Sequence, residues 1–314
     1  MTGVPHPAPG GLRRPAAPSR ARVTRRPLPT AVHICLLLAP ALVVVGVFFL
    51  GGVGQAVAQS FGYQPYLSGS HLSADAYTAL WTDPAVRASL LLTARVAVLS
   101  TAFAAVLAVA AALAIQRLTR GRAVVTALFQ ANLAVPHLVG ALCMLLLLSQ
   151  GGLLSRLTHG VGLTATPAAL PELTNDRFGV AIIAEYVWKE TPFLTVLVLA
   201  ALSRGVAELD AAARVLGARP AQRLRHVTLP LLAPSLAGGS ILVFAFAAGS
   251  YEVPYLLGRP YPATLPVVAL QYYNDTDLTS RPQAMAVAVL IALLSGLAVA
   301  GYLFVVGRLS RRAL

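Results

Sequence analysis

Charged residues are scarce in this sequence. Asp, Glu, Lys and Arg make up 11% of its 314 residues, whereas an ordinary soluble domain has about a quarter charged residues. Apolar residues make up 57%, and the mean hydropathy is +0.73. So little charge cannot keep so much apolar surface dissolved, which excludes an ordinary soluble domain. The composition predicts an all-α chain that crosses a membrane several times.

Cysteine, lysine and the common catalytic motifs are also rare or missing. The two cysteines, Cys35 and Cys143, are predicted near opposite membrane faces, beyond the ~7 Å Cα separation that a disulfide allows. The six scattered histidines show no H-E-x-x-H pattern, so neither a metal nor another cofactor is predicted. No G-x-S-x-G elbow is present, which disfavours a membrane-embedded enzyme. No G-x-x-x-x-G-K-[ST] loop is present, so nucleotide binding is not expected here.

Acidic residues are outnumbered, and the formal net charge is +13. A nucleic-acid partner would need these charges on one folded surface, but the arginines are distributed between apolar runs, so nucleic-acid binding is not predicted. Each run has about the 20 residues that a helix needs to cross a ~30 Å hydrocarbon layer. The six runs centre on residues 31–55, 88–115, 123–148, 178–202, 231–257 and 284–306.

Arginine placement predicts the orientation of these six spans. Arginines cluster before the first span, after the second, after the fourth and after the last, while residues 58–86 contain no Arg or Lys. Since short basic segments stay on the cytoplasmic side, both termini are predicted to be cytoplasmic in a bacterial cell membrane. "TRRPLP" from Thr24 also resembles a twin-arginine signal. The apolar run that follows is too long for one, so it is predicted to be an uncleaved span.

The predicted organisation has four parts. A disordered basic tail covers residues 1–30, a first transmembrane helix 31–57, and an external loop 58–86. A five-helix core covers 87–314 and includes a cytoplasmic loop at 204–230. Aromatic residues of the external loop suit the headgroup zone; they are Tyr63, Tyr66, Tyr77 and Trp81.

The cytoplasmic loop contains "ELDAAARVLGARPAQRLRHVTLP" from Glu208 to Pro230. Apolar residues at three- and four-residue spacing predict a short amphipathic helix before Gly217. Gly217 is suited to a positive φ, and Pro220 is suited to the first position of a second short helix ending near Pro230. Two such helices need either lipid headgroups or a partner protein to cover their apolar sides.

This loop resembles that of the permease subunits of binding-protein-dependent ABC importers, in which E-A-A is followed by Gly and then by an L-P pair. The Glu position six residues before Gly217 is Ala211 here, with acids close by. The resemblance extends from about Arg87 to the end of the chain, through "VWKETPF" and "SYEVPYLLG". The residues that carry the coupling motif are Glu208, Asp210, Ala211, Ala212, Ala213, Gly217, Leu229 and Pro230.

The resemblance implies the type I importer permease fold and a transport function. It implies that the loop docks on separate cytoplasmic ATP-binding subunits. It also implies a second permease subunit and an external solute-binding protein, with membrane lipid around the spans. The "VPYLLG" ending and the "LGA" of the loop are similar to permeases of the polyamine group, which favours spermidine or putrescine. A secondary carrier without an ATPase is the alternative, although such a carrier has no reason to build this loop and no internal repeat is evident.

Ionisable residues within the spans indicate a translocation path. Glu185 and Lys189, the only lysine, are one turn apart and are predicted either to line the path or to form a structural pair. Two alternatives are predicted for Arg95: it contacts Glu252 across the bundle, or its side chain extends to the outer membrane interface. Asn132, Pro136 and His137 interrupt the third run, with His137 predicted to be a packing residue. The candidate path residues are Glu185, Trp188, Lys189, Ser250, Tyr251 and Glu252.

Overall fold

The computed structural model describes residues 30–64, 71–202 and 206–312. These residues form helices, turns and connecting segments, and no strand occurs among them, which confirms the all-α prediction. Three predictions fall partly outside the described residues: the tail at positions 1–29, Tyr66 of the external loop, and the first two positions of the cytoplasmic loop, 204 and 205.

The described residues form both short helices and helices long enough to span a membrane. π-helical turns occupy Gly46–Leu50 and Leu224–Thr228, and 3-10 turns occupy Pro167–Ala169 and Leu278–Ser280. In chain order the α-helices are α1 (Thr30–Val45), α2 (Gly51–Ser60), α3 (Asp75–Thr82), α4 (Pro84–Gln116), α5 (Arg122–Leu133), α6 (His137–Leu148), α7 (Leu153–Gly160), α8 (Val180–Leu202), α9 (Val206–Val215), α10 (Pro220–Arg223), α11 (Leu229–Gly249), α12 (Glu252–Leu257), α13 (Leu265–Tyr273) and α14 (Arg281–Arg312).

The described part of the chain divides into two units, with the boundary between Gly52 and Val53. In the first unit, α1 contains Pro40 and is followed by the first π-helical turn, and its large apolar side chains are exposed. The second unit contains the other helices and the buried core. Exposed apolar side chains of this kind are favourable in contact with lipid and unfavourable in contact with water.

Five helical stretches in the described residues are long and apolar enough to cross a membrane. They are Ile34–Ser60, Pro84–Gln116, His137–Gly160, Pro220–Gly249 and Leu278–Phe304. Helix α8 has 23 residues but carries Glu185, Lys189 and Glu190, which set it apart from the apolar five. The six-span topology with both termini in the cytoplasm therefore stays a prediction.

The third predicted span, 123–148, is not one continuous helix, so that prediction was wrong. Helix α5 ends at Leu133, and α6 begins at His137 after an extended Pro136 with φ −60° and ψ 144°. Proline lacks the N–H that would bond four residues back, and its ring disfavours helical backbone at the preceding position. The break follows from that chemistry and places His137 at the start of a new helix.

The prediction of a separate second helix in the cytoplasmic loop was also wrong. Helical structure continues from Pro220 through to Gly249, passing through the π-helical turn at Leu224–Thr228. Pro230 cannot donate to the carbonyl four residues earlier. The wider turn lies immediately before it and changes the hydrogen bonding locally, so the helix continues past the proline instead of ending there.

The external segment is shorter than predicted, because α2 continues to Ser60 and α4 begins at Pro84. Helix α3 lies between them. The hydroxyl of Tyr77 on α3 is 2.7 Å from Ser60 Oγ, and its ring packs on a buried cluster with Leu265 and Val287. Tyr77 is therefore a packing residue, whereas Trp81 is 72% exposed and free to meet the headgroup zone.

Helices α4, α8 and α11 form the centre of the second unit. Small residues recur every four positions along the buried face of α4: Ser100, Ala104, Ala108 and Ala112. Such spacing lets helix backbones approach closely in a membrane. Helix α11 approaches α8 equally closely, since a Cβ added at Gly239 would lie 2.6 Å from Leu197 Cδ1. This packing fixes α8, which carries Glu185, Lys189 and Glu190.

The predicted orientation can be tested with single cysteines in a chain lacking Cys35 and Cys143. Ser73→Cys, Thr164→Cys and Thr276→Cys should react with a membrane-impermeant maleimide added to intact cells. Thr119→Cys, next to the arginines after α4, should react only after the membrane is opened. Labelling of Thr119→Cys in intact cells would overturn the predicted orientation.

Candidate functional site

Gly217 ends helix α9 in a defined hydrogen-bonded turn. Its φ is +81°, a backbone conformation that residues with a side chain rarely adopt. The Ala218 amide donates to the Ala213 carbonyl at 3.0 Å, and the Gly217 amide donates to the Arg214 carbonyl at 3.0 Å. These two bonds form a Schellman closure, which satisfies carbonyls at the helix end. The predicted helix, glycine turn and second helical start are therefore present.

The second helical start is tied back to the first helix. The Gln222 side chain accepts a hydrogen bond from the Arg219 amide at 2.8 Å, and Pro220 follows at the first helical position. Arg223 Nη1 lies 3.0 Å from Asp210 Oδ2. This ion pair joins α10 to α9 beside a groove of about 430 Å³ whose wall includes the end of α4 at Arg117.

The base of the loop is buried and its tip is exposed. Val206 packs with Leu202 and Leu232 in one core cluster. At the other end, Val215 and Leu216 are each 87% exposed. Two neighbouring apolar side chains on a tip fixed by hydrogen bonds form a surface suited to an apolar recess on a partner. We refer to Val215, Leu216 and Gly217 as the loop tip.

The other predicted motif residues lie along α9 and at the start of α11. Glu208, Ala211 and Ala212 are exposed, and Asp210 and Ala213 are partly buried. Leu229 and Pro230 are exposed at the start of α11. The acid nearest to Ala211 that makes a structural contact is thus Asp210, through its pair with Arg223.

A second group of polar residues lies on α8 and faces α6. Glu185, Lys189 and Glu190 are all buried. Of the two alternatives for Glu185 and Lys189, a structural pair or a place on the path, the structure does not show the pair, since no ion pair joins these two described residues. Lys189 Nζ instead donates to the carbonyls of Asn132 and Val135, both at 2.6 Å. Carbonyls at the end of α5 need a donor, and a cation there also suits the helix dipole.

His137 takes the place beside the two glutamates. Its Nδ1 is 3.4 Å from Glu185 Oε1, and its Nε2 is 3.6 Å from Glu190 Oε1. The ring centre also lies 4.5 Å from that of Phe246. From sequence, His137 was predicted to be a packing residue, and its contacts with the two glutamates were not foreseen. Pro136 was the available signal, since it starts α6 at His137 and so directs the ring toward α8.

Gly140 makes room for this group. A Cβ at Gly140 would lie 2.9 Å from Glu185 Oε1 and 3.0 Å from Trp188 Cζ3. Helix α6 can therefore approach α8 closely only with glycine here. Within the described residues, no group of three or more His, Cys, Asp or Glu side chains has a metal-binding arrangement.

The remaining candidate path residues lie where α11 ends and α12 begins. Ser250 leaves α11 in an extended conformation, and Tyr251 and Glu252 are exposed. Val253 of α12 shares a buried cluster with Ile182 and Tyr186 of α8, so this junction packs near the acidic group.

Arg95 does not pair with Glu252 in the described structure. Its guanidinium carbon lies 4.8 Å from the centre of the Phe178 ring, and its Nη1 donates to the Arg177 carbonyl at 3.5 Å. An aromatic face and a carbonyl just before α8 are nearer partners than a carboxylate on α12. Of the two alternatives for Arg95, the structure does not show the contact with Glu252; Arg95 instead contacts the segment just before α8.

A family model and two relatives all indicate the same protein family. A model described as binding-protein-dependent transport system inner membrane component matches residues 104–312. A molybdenum transport system permease protein of Mycobacterium tuberculosis is 27% identical over 72% of this chain and 81% of its own length. The inner membrane ABC transporter permease protein YdcU of Escherichia coli is 34% identical over 57% of this chain and 59% of its own length.

A solved structure shows the same fold. It is a crystal structure of a bacterial ABC transporter involved in the import of the acidic polysaccharide alginate. One of its chains superposes with a TM-score of 0.73 at 20% identity, covering 90% of this chain and 96% of that chain.

Proposed function

Because this chain belongs to the family of binding-protein-dependent transport system inner membrane components, we propose that its loop tip docks on a separate ATPase and drives transport. The chain is a multi-pass membrane protein and a permease subunit of a binding-protein-dependent ABC importer. The observation that carries the proposal is the loop tip, where two exposed apolar residues stand on a hydrogen-bonded glycine turn.

The loop geometry supports transmission of movement to the spans. Helical structure continues from Pro220 through to Gly249, so a force applied at the loop passes directly into a membrane-spanning helix. The Asp210–Arg223 pair and the buried Val206 connect α9 to the same body. A rigid connection of this kind suits a rigid-body response to closure of an ATPase.

The translocation path is proposed to run beside α8 and the junction between α11 and α12. Ionisable residues within a membrane normally face a bundle interior or a wet cavity, and Glu185, Lys189 and Glu190 are buried against α6. Trp188 lines an adjoining groove of about 770 Å³. Ser250, Tyr251 and Glu252 form the other side of the proposed path.

The partners proposed for this chain are cytoplasmic ATP-binding subunits, a second permease and an external solute-binding protein. A solved alginate transporter with its periplasmic protein bound has a chain that superposes on this one with a TM-score of 0.69. The spermidine or putrescine prediction rests on two short sequence features, and the relatives do not support it. Their names specify molybdenum and alginate instead. The ligand of the partner binding protein decides the cargo.

The docking proposal can be tested by site-specific crosslinking in cells. A photoreactive benzoylphenylalanine at position Leu216 should crosslink to a soluble ATP-binding subunit. The matched control is the same replacement at Leu157, a 55% exposed leucine of α7 that the predicted topology places outside. A crosslink from Leu157 and none from Leu216 would contradict the proposal. Uptake that continues without ATP would favour the secondary carrier.

A further inference from the structure

A proline stands at an equivalent place in two segments beside the acidic group: Pro136 between α5 and α6, and Pro192 inside α8. In a continuous helix, the Asn132 carbonyl would accept from the amide of residue 136, and the Trp188 carbonyl from that of residue 192. Each proline therefore removes the usual helical donor from the carbonyl four residues before it.

Each of these carbonyls receives a donor from the other helix. Lys189 Nζ, on α8, donates to the Asn132 carbonyl and also to the Val135 carbonyl, both at 2.6 Å. Asn132 Nδ2, on α5, donates to the Trp188 carbonyl at 3.0 Å. The exchange is reciprocal: the side chain of Asn132 serves α8, and the side chain of Lys189 serves the end of α5.

We propose that Asn132 and Lys189 are positioning residues that lock the end of α5 to α8 through this exchange. We call the three hydrogen bonds the carbonyl lock. The lock fixes the place where α6 begins, and so holds His137 between Glu185 and Glu190. Helices α5 and α8 consequently move as one body during transport, and the opening of the path occurs at other helix contacts.

The surroundings make the lock costly to open. Lys189 is only 4% exposed, so its two bonds to carbonyls are shielded from solvent, and a buried polar group that loses its partner is costly. Separation of α5 from α8 would leave the carbonyls of Asn132, Val135 and Trp188 without these donors at once. The effect on transport rests on the proposed function, whereas the effect on stability rests on the hydrogen bonds alone.

The test is a rescue experiment on the purified chain and on uptake in cells. Asn132→Ala should lower the melting temperature in detergent by roughly 3–8 °C, because the Trp188 carbonyl loses the donor that joins α8 to α5. Pro192→Ala restores a backbone N–H four residues after Trp188. The double variant Asn132→Ala/Pro192→Ala should therefore regain most of the lost melting temperature and of the lost uptake.

Two matched controls separate this lock from general softening of the bundle. Pro234→Ala removes a different helix-interior proline, in α11, and should not rescue Asn132→Ala. Gln130→Ala removes another amide of α5, an exposed one, and should leave the melting temperature near the parent value. Parental stability of Asn132→Ala, or equal rescue by Pro192→Ala and Pro234→Ala, would overturn the lock. If the double variant regains its melting temperature but the unmodified chain shows no uptake, the lock stands and the proposed function is contradicted.

Discussion

Gly217→Asp is expected to abolish substrate uptake while the protein still reaches the membrane in normal amount. The φ of +81° at this position makes any side chain cost about 1–2 kcal/mol locally. Nothing lies within 4 Å of an added Cβ, so the fold of the chain itself tolerates the carboxylate. The new charge lies beside Val215 and Leu216, where it would have to lose its water on docking.

The measurements are uptake in cells, membrane level by immunoblot, and co-purification of the ATP-binding subunit. Gly121→Asp is the matched control, since Gly121 also has a positive φ, +76°, and no neighbour within 4 Å of an added Cβ. It should retain uptake and ATPase binding. Normal uptake by Gly217→Asp with the ATPase still bound would remove the loop tip from the coupling mechanism.

The loop was predictable because its structure is decided locally. Gly217 and Pro220 set a turn and a helix start through their own backbone preferences, and Asp210 and Arg223 lie only thirteen residues apart. The separate second helix was mispredicted because Pro230 was taken as a stop. The π-helical turn that lets the helix continue has no sequence signature of comparable strength.

The partners of Lys189 were less predictable for a physical reason. Spacing along a helix identifies neighbours on that helix, such as Glu185, but it gives no information about acceptors on another helix. The carbonyls of Asn132 and Val135 became available only because Pro136 broke α5 from α6 beside α8. The same limit applies to Arg95, whose observed partners include the Phe178 ring and not Glu252.

The structure also changes what is expected of Glu185. Glu185 is fully buried and lies within ion-pair distance of His137 rather than of Lys189. Removing the lysine therefore does not release a direct partner of Glu185. It removes the side-chain donor of the Val135 carbonyl and one of two donors of the Asn132 carbonyl, which also accepts from the Val135 amide at 3.2 Å, together with a cation at the end of α5.

Lys189→Met is accordingly expected to reduce both uptake and the stability of the purified chain. Loss of the donor to the Val135 carbonyl costs about 1–3 kcal/mol of stability. The group of Glu185, Glu190 and His137 also loses its neighbouring positive charge beside the proposed path, so we expect uptake to fall by about tenfold. Initial uptake rates and melting temperature in detergent are the two measurements.

Lys189→Arg is the matched variant, because a guanidinium keeps the charge and several donors within reach of the Asn132 and Val135 carbonyls. It should retain more uptake and more stability than Lys189→Met. Parental uptake by Lys189→Met would remove α8 from the proposed path. Equal loss in the two variants would contradict the expectation that a positive charge with donors to these two carbonyls is what position 189 requires.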